Sequence, residues 1–319
     1  MIDVVCTVCR QNDARLAHVV DRWRVVRCRR CGHRYVSPRP SMDDIQRLYD
    51  EDYFQNPAFQ TTDHDAYFGY MDYLRDREHI QARLSQVLRR IEAHRPPGRL
   101  LDLGCGLGFF VEVAALAGWD AHGVELNKHA VEWANQHVSN NVVHGTVDSL
   151  EYPDASFDCV TMFDVIEHLD DPRLELGEVW RILRPGGLFV VATPDAGSRF
   201  ARLLGARWLE LKRAPEHLHF FSGATLSLLM RTCGFMPLDH HSMGKITTLR
   251  VVLADLKFYA PKAFGALERL LDARGWSDRV VDLNPGTKMC IYASKDGSPA
   301  PVDAALDQLE RPKLRRALR

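Results

Sequence analysis

The sequence predicts an α/β protein with a doubly wound, mostly parallel sheet. From residue 98 onward, short apolar runs alternate with amphipathic segments of helical length. Such alternation is typical of parallel strands joined by crossover helices. Pro96-Pro97-Gly98 ends a long helical pattern directly before the first apolar run, so the domain is predicted to begin there and to extend over residues 98–295.

The elements of this domain follow from the apolar periodicity. Parallel strands are predicted near residues 99–103, 120–124, 141–144, 158–163 and 188–193. Helices are predicted near residues 108–117, 127–137, 171–183 and 222–232. Two closing strands are predicted at 235–240 and 287–294, with a helical insertion at about 244–286 between them.

A compact cysteine pattern occupies the first 40 residues. Cys6 and Cys9 form one Cys-x2-Cys pair, Cys28 and Cys31 form a second, and 18 residues separate the two pairs. Each pair can place two thiolates on one metal ion, and two pairs complete a tetrahedral shell. Four sulfur ligands leave no position for water, so a structural zinc ion in a ribbon-like segment is predicted. His33 is a poor alternative ligand and is predicted to face solvent.

Residues 41–97 are predicted to form a helical linker that covers the larger domain. Ser41 and Asp44 have the pattern of a helix start, and a longer helical pattern runs over about residues 65–94. Residues 296–319 are predicted to be a tail, whose basic end is interpreted as solvated.

A glycine-rich turn follows the first predicted strand, with Gly104, Gly106 and Gly108 closely spaced. Glycine lets the backbone approach a ligand at such a turn. In dinucleotide-binding folds the third glycine comes three residues after the second. Here it comes two residues after, and Phe109 stands where that fold requires Gly or Ala. An NAD-linked oxidoreductase is therefore the least favoured hypothesis.

Two carboxylates flank the turn. Asp102, at the end of the first strand, would repel a pyrophosphate but attract the ammonium and sulfonium groups of S-adenosylmethionine. Glu125, at the end of the second strand and 21 residues after Gly104, can accept hydrogen bonds from both hydroxyls of a ribose. Together the two acids predict a site for S-adenosylmethionine.

Residues 98–295 resemble the class I S-adenosylmethionine-dependent methyltransferases. The motifs that carry the resemblance are Leu101-Asp102-Leu103-Gly104-Cys105-Gly106, Val124-Glu125, Ser156-Phe157-Asp158, Asp164-Val165-Ile166-Glu167-His168 and Arg184-Pro185-Gly186-Gly187. The resemblance implies a Rossmann-like sheet of seven strands that ends in an antiparallel hairpin. The last of these motifs is predicted to be structural, because Pro and Gly end a helix and turn the chain into the fifth strand.

The same resemblance implies the residues that surround the cofactor. Gly104 and Gly106 line its methionine end, and Glu125 binds the ribose. The loop Gly145-Thr146-Val147 flanks the adenine, with Asp148 as the alternative because many relatives carry Asp in place of Thr146. The full predicted set is Asp102, Gly104, Cys105, Gly106, Glu125, Leu126, Thr146, Val147 and Phe163.

Three histidines are predicted to be catalytic or to contact the methyl acceptor. Methyl transfer requires two positioned reactants and, for a hydroxyl or carbon acid, the removal of a proton. His168 follows the fourth strand, and His217 and His219 follow the fifth. In an extended segment the last two imidazoles would point the same way, although one could instead pack against the next helix. Asp164 and Glu167 could orient a histidine or contact the cofactor.

The N-terminal layout resembles small-molecule methyltransferases found with sugar, cell-surface glycan and natural-product biosynthesis. It consists of the cysteine pairs, then residues 35–40, then residues 48–54. In such proteins this region helps cover the substrate, and Tyr49, Tyr53 and Phe54 could reach the cofactor pocket. The predicted function is transfer of a methyl group to O or C of a small acceptor such as a sugar or a biosynthetic intermediate.

Two alternatives stay open. RNA methylation is favoured by the arginines around the ribbon, which are Arg22, Arg24, Arg27, Arg29, Arg30 and Arg34. It is opposed by the acidic residues between 43 and 52, and by a formal net charge of -1 from 41 basic and 42 acidic side chains. A protein that binds S-adenosylmethionine without turnover is the second alternative.

Other features of the sequence predict the localisation and oligomeric state of the protein and the role of its remaining cysteines. The sequence has no apolar run of about 20 residues and no signal-peptide pattern, which predicts a cytoplasmic protein without membrane contact. A monomer or homodimer is expected. The four scattered cysteines lie in apolar segments and are predicted to be core residues. They are Cys105, Cys159, Cys233 and Cys290.

Overall fold

The computed structural model describes residues 2–40, 74 and 76–310. The predicted helix start at 41–44, the aromatic residues between 49 and 54, the first part of the 65–94 pattern and the basic end at 311–319 lie outside the described residues.

In this part of the chain the elements have the following bounds. The strands are β1 (Ala14–Val20), β2 (Trp23–Cys28), β3 (Arg34–Val36), β4 (Arg99–Leu103), β5 (Asp120–Glu125), β6 (Val142–His144), β7 (Phe157–Phe163), β8 (Leu183–Pro194), β9 (His219–Phe220), β10 (Met236–Thr248) and β11 (Val280–Ser294). The α-helices are α1 (Arg77–His94), α2 (Phe109–Leu116), α3 (Lys128–His137), α4 (Pro172–Ile182), α5 (Arg199–Leu204), α6 (Gly223–Thr232), α7 (Leu249–Lys257), α8 (Pro261–Ala273) and α9 (Val302–Glu310). Two 3-10 turns, Gly205–Arg207 and Leu209–Arg213, follow α5.

The larger sheet has seven strands in the order β10-β11-β8-β7-β4-β5-β6. The five strands from β8 to β6 in this order run parallel, and β11 and β10 add an antiparallel edge. The predicted doubly wound, mostly parallel sheet is therefore confirmed, with each predicted parallel strand at its expected place.

Helices cover both faces of the sheet. On one face α1, α2 and α3 pack against the sheet through an apolar cluster that includes Leu88, Phe110 and Ala134. On the other face α4 packs over β8 and α6 over β10 and β11, with Leu176 and Leu229 fully buried. Because both faces are covered, the central strands are continuous apolar runs rather than alternating ones.

The insertion between the closing strands differs from the prediction. The segment expected to be helical over 244–286 is helical only between 249 and 273, while its two ends extend β10 and β11 as a long hairpin. The hairpin passes Gly244, where a Cβ would lie only 2.5 Å from the carbonyl oxygen of Leu283. Because Gly244 has no side chain, the two strands can approach closely and the hairpin can continue past it. The apolar periodicity of the sequence does not reveal this extension.

The N-terminal ribbon forms a second sheet with the order β1-β2-β3-β9. Its fourth strand comes from the larger domain, because Tyr35 pairs with His219 and Arg34 with Phe220. This pairing explains why His33 is fully buried, so the prediction that it faces solvent is wrong. Its ring stacks on Phe221 with the ring centroids 4.7 Å apart.

Three arginines fasten the ribbon to the start of α4. Arg173 donates from Nε and Nη2 to the carbonyl oxygens of Thr7 and Val8, at 2.6 and 2.5 Å. Arg39 donates to the Asp170 carbonyl oxygen at 2.8 Å. Arg10 forms a salt bridge with Asp171, and Cys6, Val8 and Cys9 belong to the same apolar cluster as α4. Ribbon and larger domain therefore share one core.

The scattered cysteines lie in the core as predicted, because the thiols of Cys105, Cys159, Cys233 and Cys290 are all buried. The Arg184–Gly187 motif, predicted to turn the chain into the fifth strand, lies within the first residues of β8, directly after α4 ends at Ile182. Among the described helices, none has the length and apolar character needed to span a bilayer.

Candidate active site

The glycine turn after β4 closes tightly over the end of β5. The amides of Gly104 and Cys105 donate to the carbonyl oxygen of Val124 at 2.8 and 3.1 Å. Gly104 and Gly106 have φ values of +69° and +54°, which favour glycine. A Cβ on Gly104 would also overlap with Cγ2 of Val165 in the loop after β7. The turn is thus shaped by its missing side chains.

Glu125 lies across this turn. Its Oε2 accepts a hydrogen bond from the Gly106 amide and its Oε1 from the Asn127 amide, both at 2.9 Å. Burial nevertheless raises the pKa of Glu125 above its usual range. Each carboxylate oxygen can accept two hydrogen bonds, so each could still accept a further one from a hydroxyl group.

Asp102 is almost entirely buried at the end of β4. Its Oδ1 accepts a hydrogen bond from the Thr161 hydroxyl at 2.6 Å. Burial, reinforced by the charge of Glu125, raises the pKa of Asp102 to about 7. A cationic ligand beside it would favour the ionised form again, so this acid suits a positively charged group.

The other predicted cofactor residues lie at the same edge of the sheet, the carboxyl ends of β4 to β7. Leu126 follows β5 and is 61% exposed. Thr146 and the buried Val147 follow β6, where the Thr146 amide donates to the Ser149 hydroxyl at 2.9 Å. Phe163 ends β7, and its ring meets that of Phe110 edge-on at 5.0 Å. Ligands of open α/β sheets bind at such an edge.

A second group of polar side chains lies after β7 and consists of Glu167, His168 and His217. Each can direct one ligand atom at a common point, and these atoms lie within 4.8 Å of one another. The two imidazole rings meet edge-on with centroids 4.6 Å apart. The structure thus brings together two of the three histidines predicted to act on the acceptor.

Backbone hydrogen bonds explain how residues 50 positions apart meet. The amides of Leu218 and His219 both donate to the carbonyl oxygen of Glu167, at 2.9 and 3.0 Å. They hold the segment after the 3-10 turns against the end of β7. The side chain of Glu167 is oriented separately, since its Oε2 accepts from the Thr193 hydroxyl at 2.8 Å.

His217 and His219 lie in different surroundings although they are two residues apart. His217 Nδ1 is 3.6 Å from Oε2 of Glu210. The His219 ring instead contacts the ribbon, with Nδ1 3.1 Å from Nε2 of His33 and Nε2 3.0 Å from the Leu169 carbonyl oxygen. The assignment of His219 to the acceptor stays a prediction, and its hydrogen bonds connect it to the ribbon.

Burial controls the charge of these groups. It lowers the pKa of both His168 and His219 to about 4 and that of His217 well below its usual value. Burial, with the nearby charge of Asp164, raises the pKa of Glu167 to about 8. The three imidazoles are therefore neutral at pH 7, the form that can accept a proton or donate a lone pair to a metal ion.

The sequence did not predict two residues that lie beside this group. Lys288 of β11 pairs with Asp164, which has a φ of +55°. Glu210 contacts both His217 and Arg213. No local motif surrounds Lys288 or Glu210, so only their position in the fold reveals them.

The cysteine cluster is compact. Cys6 Sγ lies 3.5 Å from Cys31 Sγ, and Cys9 Sγ lies 3.4 Å from Cys28 Sγ. All four sulfur atoms lie within 4.8 Å of one another. Tetrahedral Zn–S bonds of about 2.3 Å separate sulfurs by about 3.8 Å, so the four thiols could hold a zinc ion.

A parallel sheet with this glycine turn and two acids at its carboxyl edge defines an S-adenosylmethionine-dependent methyltransferase. Residues 75–240 match the family model described as a methyltransferase domain. The chain belongs to this family and is an S-adenosylmethionine-dependent methyltransferase enzyme.

Curated relatives agree with this class. A probable S-adenosylmethionine-dependent methyltransferase of Mycolicibacterium smegmatis is 32% identical over 160 residues, which are 50% of this chain and 60% of the relative. An O-methyltransferase of Aspergillus nomiae is 27% identical over 64% of this chain and 94% of its own length. A ubiquinone biosynthesis O-methyltransferase of Cereibacter sphaeroides is 31% identical over 46% of this chain and 63% of its own length.

Solved structures of similar architecture include two methyltransferases. One, from Thermotoga maritima, is 24% identical with a TM-score of 0.47 and covers 70% of this chain and 93% of its own. The other, from Archaeoglobus fulgidus, is 20% identical with a TM-score of 0.46 and covers 70% of this chain and 99% of its own.

Proposed function

We propose that the enzyme methylates a small molecule at a hydroxyl oxygen or an acidic carbon, for example on a sugar or another biosynthetic intermediate. The observation that carries the proposal is the buried group of Glu167, His168 and His217, which lies at the same sheet edge as the glycine turn. Relatives named as O-methyltransferases make oxygen the favoured acceptor atom.

The cofactor site fits S-adenosylmethionine through its acids. Bound S-adenosylmethionine supplies an electrophilic methyl group on a sulfonium. Glu125 would accept the ribose hydroxyls with the lone pairs that Gly106 and Asn127 leave available. Asp102 would attract the positive methionine end, and the glycines allow the backbone to approach it. Thr146 and Val147 would flank the adenine.

The acceptor must lose a proton as its bond to the methyl group forms. His168 and His217 are neutral at pH 7, so either could take that proton. A resulting imidazolium would favour the ionised form of Glu167, which would then stabilise it by charge. Glu167 and His217 are shielded from water, at only 1% and 3% exposed, whereas His168 is half-buried.

We further propose that Cys6, Cys9, Cys28 and Cys31 bind one structural zinc ion. The short sulfur–sulfur distances and the closed four-thiolate set support this role, because such a site leaves no position for a substrate. The ion would then stabilise the ribbon, whose sheet is completed by β9 of the catalytic domain.

Calorimetric titration with S-adenosylhomocysteine tests the cofactor site. Glu125→Ala should weaken binding by roughly 100-fold or more, since charge-assisted hydrogen bonds contribute about 1.5–3 kcal/mol each. Gly106→Arg should weaken it similarly, because a side chain at this glycine keeps the backbone from approaching the ligand. Glu132→Ala, at an exposed position on α3, serves as the matched control and should bind as the wild type does. Absence of binding to the folded wild-type protein would refute the cofactor site. A screen of hydroxylated acceptors for methyl transfer then tests the substrate class.

A further inference from the structure

We infer that Glu167, His168 and His217 bind a divalent metal ion that contacts the methyl acceptor. The three side chains offer one carboxylate oxygen and two imidazole nitrogens, all within 4.8 Å of one another. The site is separate from the four-cysteine cluster. The inference rests on the proposed function, because it takes the methyl acceptor to be a hydroxyl group.

The unsatisfied hydrogen-bonding capacity of Glu167 points to a ligand. Its Oε2 is oriented by the Thr193 hydroxyl, but its Oε1 is buried and has no hydrogen-bond partner among the described residues. The residue is only 1% exposed, so water does not compensate for this atom from the surface. A buried polar atom without a partner is costly, and a cation at Oε1 would remove that cost.

The orientation of His168 is that of a metal ligand. Its Nδ1 lies 3.0 Å from the carbonyl oxygen of Glu216, which can only accept a hydrogen bond. Nδ1 therefore carries the proton, and the lone pair is on Nε2. Histidines that bind metals typically donate their other ring nitrogen to a backbone carbonyl in this way.

Positive side chains near the site are held by acids. Lys288 pairs with Asp164, and Arg213 Nε lies 3.5 Å from Oε2 of Glu210. Asp164 is thus engaged by Lys288 beside the group. The remaining donor set, two imidazoles and one carboxylate, is typical of Mn²⁺, Fe²⁺ or Zn²⁺ with positions left for water and substrate oxygen.

The ion would activate a hydroxyl acceptor. With the ion bound, His168 and His217 would hold the metal instead of accepting the proton themselves. Coordination lowers the pKa of the bound hydroxyl, whose proton then passes to a water molecule on the ion and from there to solvent. The oxygen lone pair then forms the O–CH3 bond as the S–CH3 bond breaks, and the sulfur keeps that electron pair to give S-adenosylhomocysteine. No oxidant or reductant is required, and the positive charge of the sulfonium is lost as the proton leaves.

Mn²⁺ titration of the full, zinc-loaded chain, followed by the electron paramagnetic resonance of free Mn²⁺, tests the inference. Mn²⁺ suits oxygen and nitrogen ligands and does not suit the four-thiolate site. We expect one bound Mn²⁺ per chain. The affinity for Mn²⁺ should fall at least about tenfold in Glu167→Gln and in His217→Gln, because each variant loses a ligand group. His129→Gln, at an exposed position, is the matched control.

Thermal unfolding and S-adenosylhomocysteine titration of the same samples separate the outcomes. Variants that unfold like the wild type but no longer bind Mn²⁺ support the site. No Mn²⁺ binding to folded wild type, or equal binding in all variants, overturns it even if S-adenosylhomocysteine still binds. Loss of S-adenosylhomocysteine binding alone would count against the proposed function and leave the metal site standing.

Discussion

Asp102 illustrates how a single residue can serve binding at the expense of stability. The acid is 3% exposed, and its one side-chain hydrogen bond comes from Thr161. Burial raises its pKa to about 7, so the folded chain disfavours the ionised form that a cationic cofactor requires. Ligand binding would reverse that preference.

The sign of the resulting pH dependence follows from the raised pKa. Between the pKa of an unfolded aspartate, about 3.9, and the folded value, the native state holds the extra proton. Stability from this group is therefore full below about pH 4 and falls as pH rises toward 7.

Replacing Asp102 by Asn should remove this loss. At pH 8 the free energy of unfolding of Asp102→Asn should exceed that of the wild type by on the order of a few kcal/mol, because the variant buries no charge. It should therefore unfold at a higher denaturant concentration. At pH 4 the two proteins should be similar, and S-adenosylmethionine should bind the variant more weakly. Denaturant unfolding at both pH values checks this. The exposed Asp307→Asn is the control, and an Asp102→Asn variant that is less stable than the wild type at pH 8 would contradict the argument.

At the scale of elements, the turn between β4 and α2 couples backbone conformation to packing. Gly104 and Gly186 share a φ of +69°, but their surroundings differ. A Cβ at Gly104 would overlap with Val165, whereas no atom of the described residues lies within 4 Å of a Cβ at Gly186. The pair therefore separates the cost of a left-handed backbone from the cost of a steric overlap.

Gly186→Ala should cost only about 1–2 kcal/mol, the usual penalty for an L side chain in that conformation. Gly104→Ala should cost clearly more and should also abolish S-adenosylhomocysteine binding, since the turn must move away from Val165. Denaturant unfolding and calorimetry measure the two effects. Equal destabilisation in both variants would show that the Val165 contact is unimportant.

At the scale of the whole molecule, the ribbon and the catalytic domain are joined through the segment that carries His217 and His219. β3 pairs with β9, and the buried rings of His33 and His219 lie within hydrogen-bond distance. Arg173 joins the same ribbon to the start of α4. Order in the ribbon should therefore extend to the proposed acceptor side.

Removal of the proposed zinc ion should loosen that segment selectively. After chelation we expect faster amide hydrogen exchange in residues 217–221, because β9 loses its partner strand, while residues 100–104 in the centre of the sheet keep their protection. Exchange mass spectrometry with and without added zinc measures this. Unchanged exchange at 217–221 after complete zinc removal would show that the ribbon does not support the segment.

The acidic surroundings of the ribbon bear on the RNA alternative. Arg30 pairs with Asp303, and Arg29 pairs with Asp13 at 3.2 Å. These arginines are thus partly compensated within the chain. We expect no salt-sensitive RNA binding in a filter assay at low ionic strength, and tight binding that Arg27→Glu abolishes would contradict this.

The sequence by itself determined the order of elements, the glycine turn, Glu125 and the two cysteine pairs. These features depend on spacings of a few residues and on apolar periods within one strand or helix, which are readable locally. The helix predicted at 222–232 agrees with α6, which the structure shows to begin at a capping box on Ser222.

Only the tertiary structure decided which distant residues meet. His33 and His219 are 186 positions apart, and Lys288 and Asp164 are 124 apart, yet each pair is in contact. The burial of His33, the fourth strand of the ribbon sheet and the group of Glu167, His168 and His217 all arise from such long-range packing. Periodicity constrains which face of an element is buried but not which partner buries it, so these contacts required the fold.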